Sequence, residues 1–187
     1  MRDSDAIVRY PGFPATGSTL EYCGRILAER ARDPGVAVSN SGGAWHSPPD
    51  LALRPGFREF HPIAFAAVSA TMERLGDTVP ADRPRWGIQL WAMVYPARGY
   101  SRLHHHAESD WSLSFTLDPG DATSEDSAVL AFRAGVIEAP GPSLGRYRTE
   151  RHDLVVFPGR TLHEVSPYLG TRPRVVLSAN VFFSAPT

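Results

Sequence analysis

The apolar residues change period near Trp86, and this change limits what the chain can fold into. Along 86–95 the side chains alternate. Trp86, Ile88, Leu90, Ala92 and Val94 fall on one face of an extended strand, and Gln89, Trp91, Met93 and Tyr95 fall on the other. Further alternating or apolar segments predict strands near 111–117, 128–133, 153–157 and 173–183. Before Trp86 the spacing is helical. Ser18-Thr19-Leu20-Glu21 reads as a capping box, followed by an apolar face of Leu20, Cys23, Ile26 and Leu27. A second helix is predicted with Pro62 in its first turn, Gly76 at its end, and Ile63, Ala67, Ala70 and Leu75 along its stripe. The polar segment 118–127 and the Pro- and Gly-rich segment 138–150 read as loops. Helices first, then many short strands, predict a mainly β domain with N-terminal helices, arranged as a double-stranded β-helix or jelly roll. The chain is expected to form one such domain over 1–187, with a helical buttress over roughly 18–76 and a β core over roughly 86–183.

The chemistry concentrates in Leu103-His104-His105-His106-Ala107-Glu108. On a strand His104 and His106 point one way and His105 the other. Two imidazoles on one face, joined by His163 from a distant strand, make three sides of a metal site. Arg174 follows eleven residues later in an apolar run, Val175-Val176-Leu177, where a charge needs a partner. A guanidinium there matches a carboxylate bidentately.

Composition excludes several other roles. The net charge of −1 offers no footprint for nucleic acid or an anionic membrane. Cys23 is alone, so no intrachain disulfide forms. Met1 to Tyr10 lacks the apolar core of a signal peptide, and no run reaches the length of a membrane span. The expectation is a cytoplasmic enzyme.

Four segments together resemble the 2-oxoglutarate/Fe(II)-dependent oxygenase family. Tyr100 to Ser112, with its His-x-His, is similar to the family's metal motif. Asp153-Leu-Val-Val-Phe157-Pro158 followed by Leu162-His163-Glu-Val165 resembles its second motif. Arg172-Pro-Arg174 through Asn180 resembles its closing strand, and Ser39 to Ser47 with Asp50-Leu51 its N-terminal motif. The four run in the family's order across residues 36 to 183. Ala107 stands where the family has proline, Leu113 where it has glycine, and Val176 where many members have a serine that supports the co-substrate. The resemblance implies a cupin-like jelly roll, Fe(II), 2-oxoglutarate as co-substrate with its distal carboxylate on Arg174, and oxidation of a small molecule or a peptide side chain.

The third metal ligand stays open between two readings. The usual non-haem triad is two histidines and one carboxylate, but position 106 is histidine. The favoured set is His104, His106 and His163. Glu108 shares their face if the strand stays regular, and Asp110 is a more remote candidate. His105 is expected to pack or face solvent. His46 sits in a Gly-rich loop that could close over a pocket or be structural, His61 lies in the same N-terminal region, His152 lacks a matching motif, and Arg172 is expected at the strand mouth. The alternating face of Gln89, Trp91, Met93 and Tyr95 lines the cavity or forms a buried aromatic layer. Two rivals to the oxygenase remain: a cupin-type three-histidine dioxygenase that does not use 2-oxoglutarate, and a non-catalytic metal- or ligand-binding cupin.

Overall fold

A computed structural model describes residues 6–13, 17–80 and 86–183, with the side chains of 17–20 left aside. Eleven strands and two helices are present among them: β1 (Val8–Tyr10), α1 (Gly17–Arg30), β2 (Asn40–Ser41), β3 (Trp45–His46), α2 (Phe60–Leu75), β4 (Gly87–Tyr95), β5 (Tyr100–His104), β6 (Trp111–Asp118), β7 (Leu130–Val136), β8 (Ala139–Tyr147), β9 (Leu154–Pro158), β10 (Leu162–Val165) and β11 (Arg174–Phe182). The strands form two antiparallel sheets. The larger runs β1-β9-β6-β11-β4-β3 and the smaller β2-β5-β10-β7-β8. This is the mainly β, double-stranded β-helix architecture with N-terminal helices that the change of period predicts.

The larger sheet is covered on both faces, and the strand sequences show why. On its outer face Leu90, Ala92 and Val94 of β4, Leu177 and Ala179 of β11, and Leu113 and Phe115 of β6 pack against Tyr22 and Ile26 of α1 and Phe60, Ala64 and Val68 of α2. On its inner face Trp91, Met93, Tyr95 and Val176 form a second cluster, and Val155 and Phe157 join Leu130 and Phe132 of the smaller sheet in a third. A strand buried on both sides has no solvated face to show, so β9 and β11 read as nearly continuous apolar runs.

The helices form largely as the sequence predicts, with one changed face. α2 carries Pro62 in its first turn and ends on Gly76, whose φ of 77° is a left-handed cap that glycine adopts without strain. Its buried stripe includes Ala64, Ala67, Val68 and Met72, while Ala70 faces solvent. α1 begins at Gly17, so Ser18 lies inside the helix; the capping-box side chains of Ser18, Thr19 and Leu20 fall outside the described residues. Its buried face centres on Tyr22 and Ile26, and Leu27 turns outward at 38% exposure.

Two expectations change. Segment 139–147, predicted as a loop, is strand β8. It pairs with β7 alone, at the sheet edge, with register shifts at Phe132/Arg133 and Arg133/Gly135. An edge strand needs ladder hydrogen bonds on one side only, so it tolerates Pro140 and Pro142. The stretch read as a helical buttress also contains the short strands β2 and β3, which extend the two sheets beside β5 and β4.

Leu177 is fully buried in β11, flanked by β4 and β6, on the face turned toward the helices. Leu177→Ala should lower the unfolding free energy by about 2–5 kcal/mol through lost burial and the cavity left behind. Denaturant unfolding measures this, and metal content should stay at the wild-type level because the inner face is untouched.

Candidate metal centre

The pairing of β10 with β5 places His163 directly opposite His104 in an antiparallel register. Their ring centroids are 4.2 Å apart. His106 lies two residues past the end of β5, in extended chain rather than in the ladder. Its N–H donates to the Gly159 carbonyl at 2.7 Å, which fixes the chain where the strand stops. His104 and His106 reach the same cavity, but the second is positioned by a loop contact and not by the alternation of a strand. The His106 ring stands 5.0 Å from His104 and 5.1 Å from His163. One ligand nitrogen from each of the three lies within 4.8 Å of the others.

The carboxylate alternatives are not drawn in. The chain turns at Ala107-Glu108, so the regular strand that would align Glu108 with His106 is absent, and Glu108 is exposed. Asp110 accepts the Phe183 N–H at 2.7 Å and ties down the end of β11. His105 points away and is exposed, its Nδ1 accepting the Ala107 N–H.

Hydrogen bonds orient two of the rings. His104 Nδ1 donates to the Arg102 carbonyl at 2.7 Å and His163 Nδ1 to the Thr161 carbonyl at 2.9 Å. A carbonyl only accepts, so in each ring Nδ1 carries the proton and Nε2 keeps a lone pair for a cation. Ser39 Oγ lies 3.3 Å from His104 Nε2. Burial keeps the rings neutral. It lowers the pKa of His104, pushes His106 to about 3, and holds His163 well below the usual value, with mutual repulsion adding to each. Three neutral, converging imidazoles are a donor set that fits a divalent transition metal.

Arg174 opens β11 at 4% exposure and lines the same cavity as the three histidines. Its Nη2 donates to Thr149 Oγ1 at 2.8 Å and Thr116 Oγ1 at 3.3 Å, and Nη1 reaches the Thr149 carbonyl at 3.4 Å. Its Nε is buried without a partner, and no described carboxylate pairs with it. Burial opposes the charge of this side chain, which guanidinium retains. A dry cation with an unfilled donor marks a place for an anion. The cavity has about 50 Å³ open to the centres of water-sized molecules, several times the roughly 10–15 Å³ that one water needs. Trp91, Met93, Tyr95 and Val176 wall it, so the alternating face of β4 does line the site. His46 is also in that wall, 93% buried by its 7% exposure, stacked on Trp91 at 5.6 Å.

The remaining candidates serve elsewhere. Arg172 holds Asp118 and the Gly120 carbonyl at the surface. His61 Nε2 donates to the Ala52 carbonyl, and His152 sits against Phe115 with a φ of 64°. Sequence reasoning missed Thr116 and Thr149, whose hydroxyls hold the Arg174 guanidinium. Thr116 could have been found as a polar residue between Phe115 and Leu117 in an apolar strand. Thr149 follows β8 and carried no signal.

Comparisons with known proteins agree with this geometry. Residues 89–180, about half the chain, match the family model described as "Putative 2OG-Fe(II) oxygenase". No curated protein matches the chain by sequence. Among solved structures, a Pseudomonas putida prolyl-4-hydroxylase superposes with a TM-score of 0.67 at 15% identity, covering 95% of this chain and 92% of the other. The non-haem α-ketoglutarate-dependent epimerase SnoN from nogalamycin biosynthesis gives 0.71 at 16% identity, covering 96% and 78%. HygX from Streptomyces hygroscopicus, with nickel and 2-oxoglutarate bound, gives 0.63 at 11%, covering 96% and 83%. At these identities the neighbours establish the fold. The family match defines the class: the chain belongs to the 2-oxoglutarate/Fe(II) oxygenases, oxidoreductases that use both cofactors. No helix among the described residues is long and apolar enough to cross a membrane.

Two measurements probe the site. A Cβ at Gly159 would collide with Ser109 and stand 2.6 Å from the His106 carbonyl oxygen. Gly159→Ala should push the 106–109 turn aside and weaken metal affinity by about tenfold or more, equivalent to about 1.4 kcal/mol. Competition with a chelating dye reads the affinity, and circular dichroism should show an intact fold. The second concerns pH. A histidine whose folded pKa is depressed is protonated first in the unfolded chain, so unfolding takes up protons and stability rises with pH. The metal-free protein should therefore lose stability as pH falls from about 6.5 toward the value of about 3 to which His106 is pushed. Denaturant midpoints at about pH 7 and about pH 5 should differ less in His106→Gln, which removes one titrating ring.

Proposed function

We propose that His104, His106 and His163 hold Fe(II), that Arg174 binds the distal carboxylate of 2-oxoglutarate, and that the enzyme hydroxylates a small molecule or a peptide side chain. One observation carries the reading: three neutral imidazole nitrogens within 4.8 Å line the same cavity as a buried guanidinium that lacks a carboxylate partner. When bound, the cofactors supply the oxidation, with 2-oxoglutarate going to succinate and CO2 as O2 is consumed.

The chain's own residues bind, orient and exclude water. The backbone carbonyls of Arg102 and Thr161 fix the tautomers of His104 and His163, so both rings present lone pairs to the cation without a proton leaving first. Thr149 and Thr116 clamp one guanidinium nitrogen, Nη2, and Nη1, with only a 3.4 Å contact to the Thr149 carbonyl, is left to donate toward the incoming carboxylate. Trp91, Met93 and Val176 keep the intervening wall apolar, which strengthens the charge pairing inside. Tyr95 Oη and Ser101 Oγ, 2.9 Å apart, satisfy one another in the wall without adding charge.

A second reading draws on one observation, the histidine at 106. Three neutral ligands leave the full charge of a divalent metal uncompensated by protein, as in a cupin-type dioxygenase that binds its substrate directly at three-histidine iron. That reading gives Arg174 no anion to hold, so the first is preferred.

Arg174→Ala should weaken 2-oxoglutarate binding at least about tenfold, since removing one partner of a buried charge pair costs about 2–5 kcal/mol. Iron content should be unchanged. His106→Ala should lose iron and succinate release, while Glu108→Ala keeps its iron. Anaerobic calorimetry with 2-oxoglutarate and iron analysis of the three variants check this; wild type that binds iron but no 2-oxoglutarate would favour the direct dioxygenase.

A further inference from the structure

A second and larger cavity, of about 550 Å³, opens on the other side of His106. Gln89, His105, Glu108, Asn180 and Phe182 line it together with His106 itself. Its size falls within the roughly 300–1,000 Å³ usual for small-molecule sites. Arg174 faces the inner cavity only. A co-substrate held by Arg174 would therefore leave this outer space as the larger approach to His106, beside a smaller one of about 280 Å³ along Ser39, Arg102 and His104.

We propose that the outer cavity binds an amine-bearing substrate, its ammonium held by Glu108 and a carbonyl or hydroxyl oxygen held by the Gln89 carboxamide. The inference rests on the reading above of His106 as a metal ligand, because His106 is the wall that the two cavities share.

Gln89 has a fixed polarity. Ser112 Oγ donates to Asn180 Oδ1 at 2.8 Å, which leaves the Asn180 amide nitrogen to donate toward Gln89 Oε1 at 3.5 Å. With its oxygen turned to Asn180, Gln89 offers its NH2 to the cavity, where it meets an acceptor. The relay begins at the metal side: Ser109 Oγ donates to the His106 carbonyl and lies 3.4 Å from Ser112 Oγ. Gln89 itself is exposed at this wall.

The charge of the cavity is one-sided. Glu108 is the one carboxylate in the lining, no arginine lines it, and Glu108 has no ion pair among the described residues. Of its imidazoles, His105 is engaged by the Ala107 N–H, and His106 is the wall shared with the inner cavity. An anion would meet Glu108 with nothing to offset it, whereas an ammonium would complete it. Phe182 supplies an apolar flank for a short hydrocarbon spacer between the two polar groups.

A matched set of probes tests this on the metal-free protein by ligand-observed NMR. N-acetylputrescine carries both an ammonium and a carbonyl; N-butylacetamide lacks the ammonium; 4-acetamidobutanoate replaces it with a carboxylate. Wild type should bind the amine about threefold or more tightly than the neutral amide, as expected for one solvent-accessible ion pair. Glu108→Gln should abolish that preference and leave the neutral probe unchanged, with its iron content at the wild-type level. Gln89→Leu should weaken both the amine and the neutral probe while keeping their ratio. Equal binding of the three probes, a preference for the carboxylate, or an amine preference that survives Glu108→Gln overturns the inference. Loss of iron from Glu108→Gln also overturns it, because Glu108 is then a ligand. Titrating 2-oxoglutarate into iron-loaded samples separates the two readings. Co-substrate binding without amine preference refutes the outer site alone, and amine preference without co-substrate binding refutes the co-substrate reading alone.

Discussion

The antiparallel register between β10 and β5 is the contact on which the site depends. It sets His163 across from His104, and no local feature of either strand could do this alone. A slip of one residue would turn His163 to the opposite face of its sheet and leave two imidazoles where three are needed. The register is held from both sides. β10 also pairs with β7 through four residues, Leu162 to Val165, while the N-terminal strand β2 closes the other edge of β5. The fold thus fixes His104 and His163 relative to one another by ladder hydrogen bonds, which are stiffer than loops.

His106 is the exception, since it lies past the strand end and depends on a glycine. Gly159 follows the Phe157-Pro158 strand end and lets the 106–109 turn close against it, with hydrogen bonds from His106 N to Gly159 O and from Gly159 N to Asp110 O. Two segments resembling the family's separate motifs are therefore one structural unit. The same turn carries Glu108 out of the metal cluster and into the wall of the outer cavity. The place where the chain leaves the ladder sets His106 beside His104 and His163 and turns Glu108 away from them.

Electrostatics divide the interior into two zones. Around the triad, burial favours neutral imidazoles and so keeps lone pairs available. Around Arg174, the same burial is borne by a group that cannot give up its charge, and two threonine hydroxyls satisfy only part of it. A dry guanidinium with an unpaired nitrogen costs stability, and no described carboxylate offsets it.

The sequence by itself determined the class of fold and most strand positions from Trp86 onward, and it singled out four side chains that the structure brings to one cavity. Alternation reports which face a side chain takes, and His104, His106, His163 and Arg174 are unusual enough in apolar or strand contexts to be singled out. It misread β8, because Pro140, Gly141 and Pro142 signal a loop unless the segment is known to be an edge, and edges are defined by what fails to pair. It misplaced the outer face of α1 at Leu27, because a helix stripe is chosen by the sheet beneath it. The meeting of His163 with His104, the threonine clamp of Arg174 and the outer cavity were decided only by tertiary structure. Each depends on groups many residues apart, Thr116 with Thr149 or Gln89 with Asn180, whose proximity follows from strand pairing and leaves no periodic trace along the chain.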